Sequence, residues 1–393
     1  MSCWSNACAS AGTLRRPPRA ERAGVAHLYL HTPFCAAKCP YCDFNSVAGR
    51  QEEHAAYVEA LLEEVRRLPP GPYATVFLGG GTPTFLGARL LDRLLGGVRA
   101  HVRLAEGYEW TCEANPGSSD AERFAVLAEH GVNRLSIGVQ STQAHHLRTL
   151  GRVHGADEAA RTVELAVARF PRVSADLIHG LPGQTMPELD ADLDLLERSR
   201  LRHASIYHLT YEPGTEFHAR RQRGEMHEVD TELSQRQATR IAERLAGMGL
   251  RRYETSNFAV PGEESRHNLA YWTQADYQAA GAGAVSMVDG VRATRRRHPG
   301  MYASAIREGG DAVELREMID ARTRLREAWM LGLRLVRGVA IGRLEALGDA
   351  RSRWQATAEA LIGFGLLAEA EGRLALTEEG RLLQDEVTLR LMP

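Results

Sequence analysis

His31-Thr-Pro-Phe-Cys-Ala-Ala-Lys-Cys-Pro-Tyr-Cys-Asp-Phe44 puts three of the chain's six cysteines, Cys35, Cys39 and Cys42, within eight residues. It follows a short apolar, β-rich run, "AHLYLH" (26–31), so the three thiols sit on a loop after a strand. In a reducing compartment closely spaced cysteines are metal ligands or redox groups more often than disulfide halves. Three thiolates spaced Cys-x3-Cys-x2-Cys can hold three corners of a [4Fe–4S] cube and leave the fourth iron open. A zinc knuckle is the competing reading, but it wants four ligands, and only His31 is near enough in sequence to complete one.

Working outward, five further runs resemble the first: "ATVFLGG" (74–80), "YEWTCEA" (108–114), "NRLSIGVQ" (133–140), "VSADLIHG" (173–180) and "ASIYHLTY" (204–211). Between them lie segments of helical period such as "EEHAAYVEALLEEVRRL" and "DEAARTVELAVARF". Six strands alternating with helices predict an α/β fold with a parallel sheet and right-handed crossovers. Six units are too few for an eight-stranded barrel, so the expectation is an open sheet or a partial (β/α)6 barrel with its chemistry at the C-terminal strand ends. The polar motifs obey that rule. "GGGTPT" follows the second strand, Glu113 ends the third, Gln140 the fourth, and Asp176 lies in the fifth. The Gly run is no P-loop, because no Gly-Lys-Ser/Thr follows it. A glycine run after a strand instead lets backbone approach a ligand, and carboxylates suit an amino group or sugar hydroxyls. Taken singly, each of these polar residues could equally be a cap or a turn partner.

Bulk properties are those of an ordinary folded protein. A chain of 393 residues, 44% hydrophobic and 25% charged, with a formal charge of −2, excludes a strongly basic nucleic-acid binder and a disordered tail. No run approaches the roughly 18 apolar residues of a membrane span. Residues 1–24, rich in Arg and Pro and lacking an apolar signal core, read as a disordered extension, and Cys3 and Cys8 within it as incidental. Cytoplasmic location is the expectation.

The Cys-x3-Cys-x-Tyr-Cys loop resembles that of the radical S-adenosylmethionine (SAM) superfamily, with Tyr41 as its aromatic residue. The resemblance implies a [4Fe–4S] cluster whose open iron chelates SAM. It also implies SAM contacts at Tyr29, Tyr41, Gly80, Gly81, Thr82, Glu113, Gln140, Arg152 and Asp176. "FLGGGTPT", "LGRVH", "DLIHGLPGQT" and "YEPGT", in that order, narrow it to the coproporphyrinogen dehydrogenase family. Within that family the dehydrogenases carry a fourth cysteine where this chain has Phe44, and the haem-chaperone branch has a His-Asn-x-x-Tyr-Trp motif, here His267, Asn268, Tyr271 and Trp272. The branch implies haem binding through His267 and delivery of haem to apo-haemoproteins. Oxidation of coproporphyrinogen III is the alternative. Peripheral membrane contact and a homodimer are both open at this stage. Without the resemblance His267 ranks no higher than His208 or His31 among the 15 histidines.

The domain expectation is an extension (1–24), a partial barrel (25–260), a linker with a hairpin and the His267 motif (261–320), and a small winged-helix-like domain (321–393). Residues 351–393 hold five Arg against seven Asp and Glu, which argues against DNA binding. "RATRRRH" (292–298), the densest basic run, reads as solvent-facing, with haem propionates or anionic lipid as other takers.

Overall fold

The computed structural model describes residues 26–393, so the extension and its two cysteines lie outside the described residues. Strands β1 (His27–Thr32), β2 (Tyr73–Gly80), β3 (Leu104–Ala114), β4 (Arg134–Gln140), β5 (Arg172–His179) and β6 (His203–His208) lie side by side in chain order, all parallel. This is the six-unit partial barrel expected of the sequence. Two strands extend it beyond β6: β8 (Asn257–Ala259) pairs antiparallel with β6, and β7 (Arg251–Arg252) pairs antiparallel with β8 at the edge.

Period-2 alternation decides which residues meet. Leu28, Leu30, Val76 and Leu78 point outward into the layer of helices and are fully buried there. Their neighbours Thr111, Glu113, Arg134, Ser136, Ser174, Asp176, His203 and Ser205 point inward around a small internal cavity of about 100 Å³. The barrel interior is therefore a polar column. The helices that cover the outside are amphipathic: Gln51–Arg67 buries Tyr57, Val58, Leu61, Leu62 and Val65, with Glu52 and Glu53 in its first turn and Arg66 and Arg67 in its last, as the helix dipole favours.

Residues 261–320 do more than link. Strand β9 (Gln278–Ala280) pairs in parallel with β1 and extends the sheet to nine strands. The helix Pro299–Arg307 packs Tyr302 and Ile306 into the main core. The expected hairpin is present as β10 (Val285–Val288) and β11 (Val291–Arg295), and β12 (Val313–Met318) joins it as a third strand. The basic run is partly spent inside this structure. Arg295 is buried with its Nε 2.9 Å from Glu64 Oε1, and Arg292 pairs with Glu327 at 2.5 Å.

The C-terminal region builds a second core around Trp329 and Trp354, whose rings meet edge to face at 5.7 Å. Trp329 Nε1 donates to Asp349 at 2.8 Å. Strands β13 (Val339–Ala340), β14 (Leu367–Ala370) and β15 (Arg373–Leu376) form a small antiparallel sheet beside the helices Ala321–Gly332 and Arg351–Gly363. Thr377 caps the next helix by accepting from Gly380 N–H.

Candidate functional site

A cleft of about 850 Å³ opens at the C-terminal ends of β1 to β6, where the parallel sheet places its ligands. Cys35, Cys39 and Cys42 line it together. Their loop is fixed at both ends by a two-residue parallel pairing of Phe34–Cys35 with Val47–Ala48. Inside the loop, Lys38 Nζ donates to Phe44 O at 2.7 Å and to Ser46 Oγ at 2.9 Å. The glycine run is pressed against this loop. Gly81 N–H donates to Thr32 O (2.7 Å) and Thr82 N–H to Phe34 O (2.8 Å). Gly80 has φ +114°, and a Cβ there would lie 2.4 Å from the His31 imidazole, so only glycine fits.

Two sulfurs carry hydrogen-bond donors. Thr82 Oγ1 lies 3.6 Å from Cys35 Sγ, and Arg152 Nη1 3.7 Å from Cys39 Sγ. The second Arg152 nitrogen donates to Gly138 O (2.7 Å) and to Asn115 Oδ1, while Asn115 Nδ2 donates to Thr82 Oγ1 at 2.6 Å. A single network thus runs from one cysteine to the other through Thr82, Asn115 and Arg152. Burial pushes the Cys35 and Cys42 thiols up, so loading a metal there releases protons.

The donor set fits an iron–sulfur cluster better than zinc. Among the described residues, the His/Cys/Asp/Glu group whose ligand atoms all lie within 4.8 Å of one another is His145, His146 and Glu188, not the three thiols. Tetrahedral Zn–S bonds of about 2.3 Å would bring the sulfurs to within about 4 Å of each other. Donors aimed at sulfur are also what tunes a cluster's potential.

Tyr41, Gly80, Gly81, Thr82, Glu113, Gln140, Arg152 and Asp176 all line the same cleft. Glu113 accepts from Gly80 N–H at 2.9 Å. Burial, reinforced by the Asp176 charge, pushes its carboxyl up to about 8. Asp176 is held by Ser136 Oγ at 2.9 Å, and burial pushes it up to about 6. Gln140 stands at φ 70° where the β4–β5 register slips, a strained conformation that turns its side chain toward the cleft. Tyr41 packs against Phe217 with its ring 6.0 Å away.

The profile of the Radical SAM superfamily matches residues 29–196, and that of the HemN C-terminal domain matches residues 319–383. The heme chaperone HemW of Escherichia coli K12 is 37% identical over 369 residues, covering 90% of this chain and 95% of that protein. HemW of Mycobacterium tuberculosis H37Rv is 36% identical, covering 93% and 94%. The chain belongs to the HemW family. The solved structure of E. coli coproporphyrinogen III oxidase (HemN), a radical SAM enzyme, shares the fold with a TM-score of 0.79 at 22% identity, covering 93% of this chain and 89% of that one. Radical SAM membership implies a [4Fe–4S] cluster and SAM as cofactors of this HemW-family chain.

Two expected site residues are not brought to the cleft of this HemW-family fold. Tyr29 points into the barrel interior, its hydroxyl 2.9 Å from His31 Nδ1 and its ring beside Phe77. His267 is buried under the sheet, 1% exposed. Its Nδ1 meets Thr75 Oγ1 at 2.7 Å and its Nε2 meets Tyr271 Oη at 2.9 Å, so both ring nitrogens are engaged. Burial pulls its imidazole down to about 3. With both nitrogens so engaged, ligation of haem iron by His267 would require one of these bonds to open. His267→Ala leaves the Tyr271 hydroxyl without its partner, Thr75 keeping His27 Nδ1 at 2.9 Å, and a cavity behind, for an expected loss of about 2–3 kcal/mol in denaturant unfolding; a changed absorbance of bound haem in the folded variant would show that the imidazole reaches the iron.

Sequence reasoning missed the other wall of the cleft. Thr255, Ser256, Arg334, Arg381, Leu382, Leu383 and Gln384 line it, and Thr255 Oγ1 donates to Gln384 Oε1 at 2.7 Å. The winged-helix-like region thereby becomes part of the site. An arginine inside the apolar run "LGLRLV" was the one signal for it.

Proposed function

We propose that the chain is a haem carrier. In this reading the carrier holds a [4Fe–4S] cluster at Cys35, Cys39 and Cys42, binds SAM on the glycine and carboxylate rim beside it, takes haem into the same cleft, and releases haem to apo-haemoproteins. The cleft supports this reading most directly. At about 850 Å³ it lies near the top of the range for small-molecule sites, larger than a nucleoside-sized ligand requires. A cluster bound by three thiolates supplies an open iron that chelates the amino-acid end of SAM. Thr82 and Arg152 steady two of the sulfurs, Gly80 and Gly81 leave room for the ligand's methionyl end, and Glu113 and Asp176 accept from its amino group and ribose hydroxyls.

Phe44 supports a carrier over a dehydrogenase. Where the dehydrogenase branch has cysteine, this side chain is 61% exposed on the lip of the cleft, an apolar contact in place of a thiol. Among the described residues no helix is long and apolar enough to cross a membrane, so delivery to a membrane-bound acceptor would use peripheral contact.

The test runs two assays on one preparation. Haem-loaded protein is expected to transfer haem to an apo-haemoprotein, read as the acceptor's absorbance. Anaerobic incubation with coproporphyrinogen III, SAM and a reductant is expected to give no protoporphyrinogen. Catalytic decarboxylation without haem transfer would overturn the carrier reading in favour of the dehydrogenase.

A further inference from the structure

The cleft is amphiphilic in a particular way. Five of the chain's exposed large apolar side chains line it: Phe44, Val153, Tyr207, Leu382 and Leu383. Two arginines from the C-terminal region line it as well. The Arg334 guanidinium stacks 4.6 Å from the centre of the Trp272 ring, and its Nε is buried with no hydrogen-bond partner. The Arg381 side chain is only 7% exposed, and its Nη1 is likewise buried without a partner. The remaining Arg381 donors are used, Nε on Glu378 at 3.3 Å and Nη2 on Leu376 O at 3.2 Å. Unmet donors on a buried cation are costly, and they are retained where a ligand completes them.

Charge points the same way. Arg252, Arg334 and Arg381 gather where the barrel meets the C-terminal region, against Glu254 and Glu378, three cations to two carboxylates. Glu254 is buried and spends Oε1 on Ser256 N–H and on Asn257. Glu212, Asp385 and Glu386 also line the cleft, so an anion is favoured at the arginines and disfavoured beside those acids.

We propose that Arg334 and Arg381 form a carboxylate subsite that takes a propionate of haem, the macrocycle lying against the apolar lip. This rests on the carrier reading and adds to it the group that reads the ligand's acidic edge. Guanidinium is suited to the task, being planar, always charged and able to meet a carboxylate with paired donors. The Trp272 ring, 4.6 Å from its guanidinium carbon, gives Arg334 a partner within the protein.

The test titrates haemin, and haemin with both propionates converted to amides, into the full-length protein and into Arg334→Gln and Arg381→Gln, read by Soret absorbance. Unfolding temperatures of all three proteins are measured alongside. The unaltered chain is expected to bind the amide at least about tenfold more weakly than the acid, the loss of one charge-assisted hydrogen-bonded contact. Arg334→Gln is expected to weaken haemin by a similar factor and to bind acid and amide alike, at an unchanged unfolding temperature. Equal affinity of the unaltered chain for acid and amide overturns the subsite alone, whatever becomes of the variants. So does discrimination that persists in a folded Arg334→Gln. Uptake of neither form overturns the carrier reading and the subsite with it.

Discussion

Cys39→Ala strips the chain of its iron. Anaerobic reconstitution with iron and sulfide is expected to give about four irons per chain in the unaltered protein and close to none in the variant. The reason is ligand count. With Cys35, Cys39 and Cys42 as the thiols that line the cleft, removing one leaves a cube held by two, and the Arg152 donor at 3.7 Å from the lost sulfur then faces nothing. Cys112→Ala is the matched control. That thiol is fully buried in the core with its hydrogen bond directed to Glu113 O at 3.3 Å, so its loss should cost on the order of 1 kcal/mol of stability while iron is retained. Stoichiometric zinc in the unaltered protein, or full iron in Cys39→Ala, would sink the cluster assignment.

Glu113→Gln flattens the dependence of stability on pH. The Glu113 carboxyl is pushed up to about 8 in the folded chain, against 4.5 for an ordinary glutamate. Between those values the folded state keeps a proton that the unfolded chain has released, so stability falls as pH rises through that window. A full shift at 1.36 kcal/mol per unit would amount to about 4–5 kcal/mol. Because the side chain is only partly covered and borders the cleft, water screens part of that, and about 2 kcal/mol is the expected drop. Glutamine keeps an acceptor for Gly80 N–H and carries no charge, so denaturant unfolding at pH 5 and pH 8 should give nearly equal stabilities, leaving the smaller slope contributed by Asp176 at about 6. SAM affinity should rise over the same window in the unaltered chain, since an ionised carboxylate accepts more strongly from the ligand's amino N–H. Identical pH slopes in both proteins would remove Glu113 as the titrating group.

The cysteine loop, the six strands and the polar strand ends were legible because each is a local signal: spacing, alternation, and position relative to an apolar run. Eight of the nine residues expected at the SAM rim line one cleft. The place of Tyr29 below the cleft was not legible, because alternation puts it inward but says nothing of depth along the strand. The place of His267 was hidden for a related reason. A seven-residue helix, Arg266–Trp272, carries too little periodicity to reveal which face it shows, and its partner Thr75 is 192 positions away. Strand β9, three residues reading Gln-Ala-Ala, has no β-forming character of its own and exists because β1 offers it an edge. The arginines of the far wall were hidden because the contact that matters, between the barrel mouth and residues 381–386, is a tertiary event without a local pattern.

That far wall comes from a different part of the chain. The cluster ligands and the glycine run occur before residue 85, and the SAM rim is complete by Asp176. Arg381 to Glu386, which finish the cleft, follow only after the whole barrel and the hairpin segment. The cluster and SAM side of the cleft is thus drawn from the barrel up to β5, and the side that faces it mostly from a region beyond the barrel. A chain cut before residue 381 would keep every cluster ligand and lose the residues that finish the enclosing wall.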